Sequence, residues 1–236
     1  MSTFDSIHRL WASLTDLAMS CHCPSCGRRM ALDEEPLCAQ CMLRLPWENN
    51  YDWIYNPRMV AAADHPCLQR VGALMRYNHG NVAAKVVQSL KFNRNITLAS
   101  WMGRLAVSRL QSTSLFDGIE ALVPTPLSSR RQRLRGFNQA QLLAQAMGKE
   151  LRLPVCTDIV RKIKEVEPQT HLTTSQRMEN LKGAYALTSH ADSLRDKHIM
   201  LIDDVITTGS TFTSVISELE KVQGLRVSVF AWAWVT

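Results

Sequence analysis

Apolar positions along the chain follow two periods. Ile199 to Ile202 is an unbroken apolar run, Ile119 to Val123 is a short one broken by Glu120 and bounded by Gly118 and Pro124, and residues 226–235 are apolar apart from Arg226 and Ser228. Such runs predict buried strands. Residues 71–77 read as another strand, and 155–160 and 184–188 as two more flanking the polar stretch Lys162 to Lys182. Between them the spacing lengthens to that of a helix. Val82, Val86 and Leu90 follow a start at Gly80-Asn81, and Met102, Leu105, Ala106 and Leu110 mark a helix over Thr97 to Leu110. Ala140, Leu143, Ala144, Met147 and Leu151 follow Asn138, and Phe212, Val215, Ile216 and Leu219 lie within 211–222.

Strands alternating with helices predict an α/β domain with a largely parallel sheet. In such sheets ligands bind beyond the carboxyl ends of the strands, which puts Asp203, Asp204 and the segment after Pro124 on the functional edge. Ahead of this domain, Ile7, Leu10, Leu14 and Leu17 predict an amphipathic helix over 3–19, and Leu45 to Asp52 reads as a linker. There is no internal repeat and no low-complexity segment.

With 46% hydrophobic and 20% charged residues, the 236-residue chain has the composition of a globular protein. No apolar run nears the roughly 20 residues of a membrane-spanning helix. Asp5, His8, Arg9 and Asp16 interrupt any signal-peptide core, so the expected compartment is the cytoplasm. A net charge of +6 favours anionic partners such as phosphorylated metabolites, nucleic acid or acidic lipid, without choosing among them.

Five of the seven cysteines fall between Cys21 and Cys41. Cys23-Pro-Ser-Cys26 and Cys38-Ala-Gln-Cys41 are two C-x2-C pairs, and each such turn aims both sulfurs at one point. Two turns supply the four thiolates of a tetrahedral, structural zinc site, and a metal gives a core to a segment too short to build its own. Disulfides or idle thiols are the plain alternative, but no secretion signal accompanies them. Cys21 and His22 are near enough to confuse the ligand register. Cys67 and Cys156 read as small packed hydrophobes.

At the end of the 198–202 strand, Asp203 and Asp204 precede Thr207-Thr208-Gly209-Ser210-Thr211. That turn offers consecutive backbone N–H groups and four hydroxyls at a helix N-terminus, where orphan N–H groups and the dipole favour a phosphate. A Walker loop is absent, which points to a monophosphate. The two acids are suited to sugar hydroxyls, or to a Mg2+ touching them. Phosphate, diol and metal together describe a ribose 5-phosphate. An N-cap with a structural turn is the alternative, but adjacent carboxylates would then repel without a partner.

The stretch Leu201 to Thr211 resembles the phosphoribosyl pyrophosphate (PRPP) signature of type I phosphoribosyltransferases. The resemblance implies a parallel sheet flanked by helices over 51–236; ahead of it the cysteine spacing marks a zinc-ribbon-like module over 21–50, and the apolar spacing a helix within 1–20. It implies that Asp203 and Asp204 hold the ribose, and that Thr207, Thr208, Gly209, Ser210 and Thr211 hold the 5-phosphate. Val123-Pro124-Thr125-Pro126-Leu127, then Arg130, Arg131, Arg133 and Arg135-Gly136-Phe137-Asn138-Gln139, resembles the ComF/ComFC branch of competence proteins. So do Leu90-Lys91-Phe92, Gln169, Leu172, Arg177, Asn180 and Ala184-Tyr185. Lys91, Thr125 and Arg135 thereby join the implied PRPP site, with Arg135, Asp203 and Asp204 as its catalytic candidates.

Read from the residues alone, the arginines are a dense anion site for pyrophosphate or a nucleic-acid backbone, or else a solvated loop. Asn138 is also placed to cap the helix after it. Lys162 to Gln176 reads as a loop that closes over ligand. Purine-type members have an Asp at the place of Thr207, so the resemblance argues against a purine acceptor and names no other. It implies Mg2+ with PRPP, and a role in natural competence and the handling of imported DNA. The other course is a non-catalytic, PRPP-responsive adaptor that engages single-stranded DNA or DNA-uptake proteins.

Overall fold

A computed structural model describes residues 21–31, 34–48, 65–92, 95–164, 181 and 183–236. The helix expected over 3–19 lies outside them, as do residues 165–176 of the expected closing loop and the motif positions Gln169, Leu172, Arg177 and Asn180. The chain divides into two units, Met1–Leu45 and Pro46–Thr236.

In the small unit, β1 (Cys21–His22) pairs antiparallel with β2 (Arg29–Met30), and a four-residue helix α1 (Ala39–Met42) follows. The hairpin turn closes through Cys23 N–H to the Arg28 carbonyl and Gly27 N–H to the Cys23 carbonyl, both 2.9 Å. Cys38 stands at the N-cap of α1, and the Met42 N–H donates to its carbonyl at 2.9 Å.

The large unit is built on four parallel strands: β3 (Leu68–Tyr77), β4 (Ala121–Pro124), β7 (His198–Ile206) and β8 (Arg226–Val235), in the order β3-β8-β7-β4. A separate antiparallel pair joins β5 (Val160–Lys162) to β6 (Tyr185–Leu187). These last two strands were expected over 155–160 and 184–188. The first instead starts at Val160, while Val155 makes one parallel bridge to Leu122. An expected member of the main sheet is thus reduced to a single bridge.

Side chains on a strand alternate between faces, and here each face has its own cover. Ile199, Leu201, Val227, Val229 and Ala231 pack in one cluster with Phe212, Val215, Ile216 and Leu219 of α6 (Ser210–Leu219) and with Tyr185 of β6. Each such buried side chain contributes about 1.5–3 kcal/mol through removal from water. The other face carries Trp232, whose ring centroid is 6.3 Å from that of Trp101 in α3 (Ile96–Leu110). There α3 packs on α5 (Gln139–Leu151), which lies against β4 and β7. The helix α2 (Val82–Phe92) follows β3; Asn81 Oδ1 accepts from Ala84 N–H at 2.8 Å and starts it where the sequence predicts.

The α3–α5 contact depends on Gly103. A Cβ there would run into the Ala146 side chain and stand 3.0 Å from the Met147 nitrogen. Gly103→Val is therefore expected to cost about 2 kcal/mol by overpacking. The loss would be read as a lower urea midpoint at unchanged slope; an unmoved midpoint would mean the helices separate freely.

Two expectations are corrected. Leu45 to Asp52 is not wholly a linker, because Trp47 bridges Met75 and Glu48, 2% exposed, accepts from Arg76 and Trp234. The arginine stretch is not a loop but a helix, α4 (Ser129–Arg135), capped by Ser128 and ended by left-handed Gly136.

Candidate functional site

The strand β7 continues past Ile202 to Ile206, so Asp203 and Asp204 lie within the paired strand and not after it. Strand alternation sends them to opposite faces. Asp203 shares the side of Ile199 and Leu201, toward α6 and Tyr185, while Asp204 shares the side of Met200 and Ile202. On that second side Lys91, in the last turn of α2, brings Nζ to 3.0 Å from Asp204 Oδ2. The approach is an ion pair off hydrogen-bond alignment. Asp204 is buried, and its N–H donates to Asp203 Oδ1 at 2.8 Å.

Burial pushes the Asp203 carboxyl far above its ordinary 3.8, to about 8, and the Asp204 charge adds to the rise; Lys91 offsets part of it. Because the folded state holds this proton more tightly than the unfolded chain, Asp203's contribution to stability is complete below about pH 4. It is lost as pH climbs through about 8. Thermal unfolding of the ligand-free protein is expected to show a falling midpoint over that window, and Asp203→Asn to flatten the slope. An unchanged slope in the variant would exclude Asp203 as its source.

Beyond β7 the chain turns at Gly209, whose φ of 73° places it in the left-handed region that favours glycine. The turn delivers the N-terminus of α6 with no side-chain cap, so its first N–H groups are open to an anion. Thr208 Oγ1 and Ser210 Oγ lie 2.9 Å apart and brace the turn. Beside it, β4 ends at Pro124, and Thr125 N–H donates to the Ile202 carbonyl at 2.9 Å, tying the two strand ends together.

These pieces enclose a cavity of about 240 Å3. It is lined by Lys91, Thr125, Pro126, Leu127, Ser128, Arg131, Arg135, Asn138, Gln139, Lys162, Tyr185, Asp203, Asp204, Thr207 and Thr211. The structure thus brings Lys91, Thr125, Arg135, Asp203, Asp204, Thr207 and Thr211 together. Thr208, Gly209 and Ser210 do not line the cavity; Gly209 and Ser210 are buried in the turn they shape. Of the α4 arginines, Arg131 and Arg135 reach the cavity, and exposed Arg130 and Arg133 do not line it.

Burial lowers the Arg135 pKa from its usual value, Asp204 and Asp203 oppose the fall, and Arg131 adds to it. A cation so placed gains from an added anion. Burial and the Asp203 charge push the Tyr185 hydroxyl up to about 12, against its hydrogen bond to Thr211. Lys162 Nζ stands 5.3 Å from the centre of that ring. The sequence reads Lys162 only as the start of a closing loop, whereas it ends β5, names Tyr185 and Gln139 only as motif positions without a role, and gives Ser128 none. Only the Lys162–Tyr185 strand pairing, which is long-range, carries the first two here.

The arrangement offers cations and an open helix end for phosphates, and carboxylates for hydroxyls or a hard cation. Two neighbouring acids, one driven to hold a proton, fit a divalent cation bound through oxygen, as Mg2+ is.

In the small unit, Cys23, Cys26, Cys38 and Cys41 bring their sulfurs within 4.8 Å of one another. Cys26 and Cys38 Sγ are 3.7 Å apart. Zinc–sulfur bonds of about 2.3 Å in a tetrahedron require about 3.8 Å between sulfurs, so the four positions fit zinc. Cys21 and His22 are exposed and outside the cluster. Burial pushes the Cys23 thiol up, but N–H groups of Cys38, Cys26 and Ser25 outweigh it and lower it to about 6. Burial, with the neighbouring cysteines, drives Cys41 the other way.

The phosphoribosyl transferase domain family matches residues 135–231. Competence protein F of Haemophilus influenzae is 33% identical over 151 residues, 63% of this chain and 66% of that protein. DNA utilization protein YhgH of Salmonella typhimurium is 29% identical over 88% of this chain and 82% of its own. Competence protein ComFC of Bacillus subtilis is 34% identical over 46% and 42%. Among solved structures, adenine phosphoribosyltransferase from Leishmania tarentolae aligns at 12% identity and a TM-score of 0.37, over 64% of this chain and 74% of that one, too weak a likeness to argue from. Among the described residues no helix is long and apolar enough to cross a membrane.

Proposed function

We propose, from the premise that this chain belongs to the ComF family of phosphoribosyl transferase-domain competence proteins, that its cavity binds PRPP with Mg2+. The observation that carries the reading is the meeting of Asp203 and Asp204, the open end of α6, and the cations Lys91, Arg131, Arg135 and Lys162 around one cavity. A sugar with a phosphate at one end and a pyrophosphate at the other offers anions to those cations and hydroxyls to those acids.

In this reading the Thr207–Thr211 turn takes the 5-phosphate and the two acids take the ribose hydroxyls, losing the Asp203 proton. Arg135, Arg131 and Lys91 face the pyrophosphate. Phosphoribosyl transfer breaks the bond from the anomeric carbon to pyrophosphate and makes one to an incoming nucleophile. The arginines stabilise the charge that the leaving group gathers, and grip at both ends of the sugar fixes the reacting carbon. Mg2+, when bound, screens the pyrophosphate charge. The small unit holds a structural zinc on Cys23, Cys26, Cys38 and Cys41. The protein acts in the cytoplasm on a nucleophile whose identity is open.

A second reading, a PRPP-responsive adaptor for single-stranded DNA, is favoured by one feature. Exposed Arg130 and Arg133 on α4 flank the cavity with exposed Leu134, and a relative is named for DNA utilization. Calorimetry with PRPP and Mg2+ tests the first reading, and absence of saturable binding would end it. Release of pyrophosphate with added nucleophiles then separates enzyme from adaptor.

A further inference from the structure

Gln139 opens α5 and lines the cavity, yet it is only 6% exposed. Its Oε1 is buried with no hydrogen-bond partner. The neighbouring amide shows the contrast: Asn138 Oδ1 accepts from Ala140 N–H at 3.0 Å, and its Nδ2 donates to the Thr125 carbonyl at 2.9 Å. Asn138 is therefore spent on holding the β4 loop against α5. Gln139, one residue on, has an acceptor left over at the wall of the binding cavity. A buried acceptor without a donor is costly, so a native structure that keeps one raises the question of what supplies the proton.

The basic part of that wall suits phosphate. Arg131, Arg135 and Lys91 only donate, and the oxygens of pyrophosphate fully ionised on Mg2+ only accept. Bare pyrophosphate satisfies the cations and leaves Gln139 Oε1 as unpaired as before. A sugar phosphate brings O–H donors, and with a cavity of about 240 Å3 there is room for one ligand of that size. We propose that Gln139 is a specificity-determining residue, whose amide oxygen takes a ligand hydroxyl and so distinguishes a hydroxyl-bearing sugar phosphate from bare pyrophosphate. The inference rests on the PRPP reading of the cavity. It adds a way for the substrate to outcompete the product that shares its pyrophosphate end.

The test titrates wild type, Gln139→Leu and Gln139→Glu with PRPP, ribose 5-phosphate and pyrophosphate, each with Mg2+, and follows thermal midpoints to show that every variant folds. Leu removes the acceptor at similar size. It is expected to weaken both sugar phosphates about tenfold, the size of one hydrogen bond, and pyrophosphate less than about twofold. Glu keeps an acceptor and loses the amide donor, so the sugar-to-pyrophosphate affinity ratio is expected to persist even though its charge weakens every anion. Equal losses for all three ligands in Gln139→Leu, or a ratio that collapses in Glu but not in Leu, would overturn the role. Wild type that binds neither sugar phosphate would overturn the PRPP reading itself, a different failure from binding with an unmoved ratio.

Discussion

Replacing both acids, Asp203→Asn with Asp204→Asn, is expected to weaken Mg2+-dependent PRPP binding by at least about a hundredfold while the protein stays folded. Each hydrogen bond to a charged group is worth about 1.5–3 kcal/mol, so two lost bonds remove about 3 kcal/mol at the low end, or about a factor of 100. The loss of a metal site would add to it. Stability moves differently. In the ligand-free protein the acids are close, Asp203 is driven to hold a proton and Asp204 is buried. Neutral amides of the same shape relieve that repulsion. Against this, Lys91 loses the carboxylate 3.0 Å away, but its side chain is 26% exposed and can turn to water. The thermal midpoint is therefore expected to hold or rise above about pH 8, where both wild-type acids are ionised. Calorimetry and thermal unfolding on one preparation decide the matter. Binding within threefold of wild type would take the acids out of the site, and a collapsed midpoint would make the binding loss uninterpretable for the single purpose of locating ligand.

Such an experiment was legible from the sequence because β7 and α6 each carry strong local signals. Four apolar residues running into acids, then a Thr-rich turn with one glycine, then a helical stripe, are all contiguous. The parallel sheet followed from strand and helix alternation, and its C-terminal edge from the rule for open sheets. What escaped was of three kinds. The helix α4 has no buried residue, so the period that reveals helices has nothing to mark. Its punctuation was present all the same: Ser128 caps the Arg131 N–H at 3.3 Å and Gly136 ends the helix. Treating the arginines as a loop overlooked both signals.

The second kind was long-range. Tyr185 reaches the cavity because β6 pairs with β5, and Glu48 becomes structural because Trp234 and Arg76, far along the chain, converge on it. The family resemblance marks Ala184-Tyr185 without a role, and no local pattern announces Glu48. Gln139 shows a third limit, since its importance lies in a missing partner. A sequence gives the residue, and only the packing shows that Asn138 is satisfied while its neighbour is not.

Stripping zinc is expected to unfold the small unit outright. Its described residues bury few apolar side chains besides the cysteines, namely Met30, Leu37 and Leu45, and its strands are two residues long and its helix four. Nothing among those described residues makes a core large enough to offset the entropy of ordering the segment, whereas a structural zinc contributes about 10–16 kcal/mol of apparent folding free energy in small metal-built modules. The thiols are also poorly suited to one another without an ion: backbone N–H groups favour a thiolate at Cys23, while burial and the other sulfurs oppose one at Cys41. A cation at their centre removes the conflict. Chelation, or Cys38→Ser, is accordingly expected to release about one zinc per chain and to open 21–45 to protease. Met30 and Leu37, buried in the folded small unit, would then lie in the first cleaved segment. The wild-type chain loaded with zinc should resist the same digestion. A metal-free protein that keeps this segment protected would show that the four sulfurs hold no structural ion.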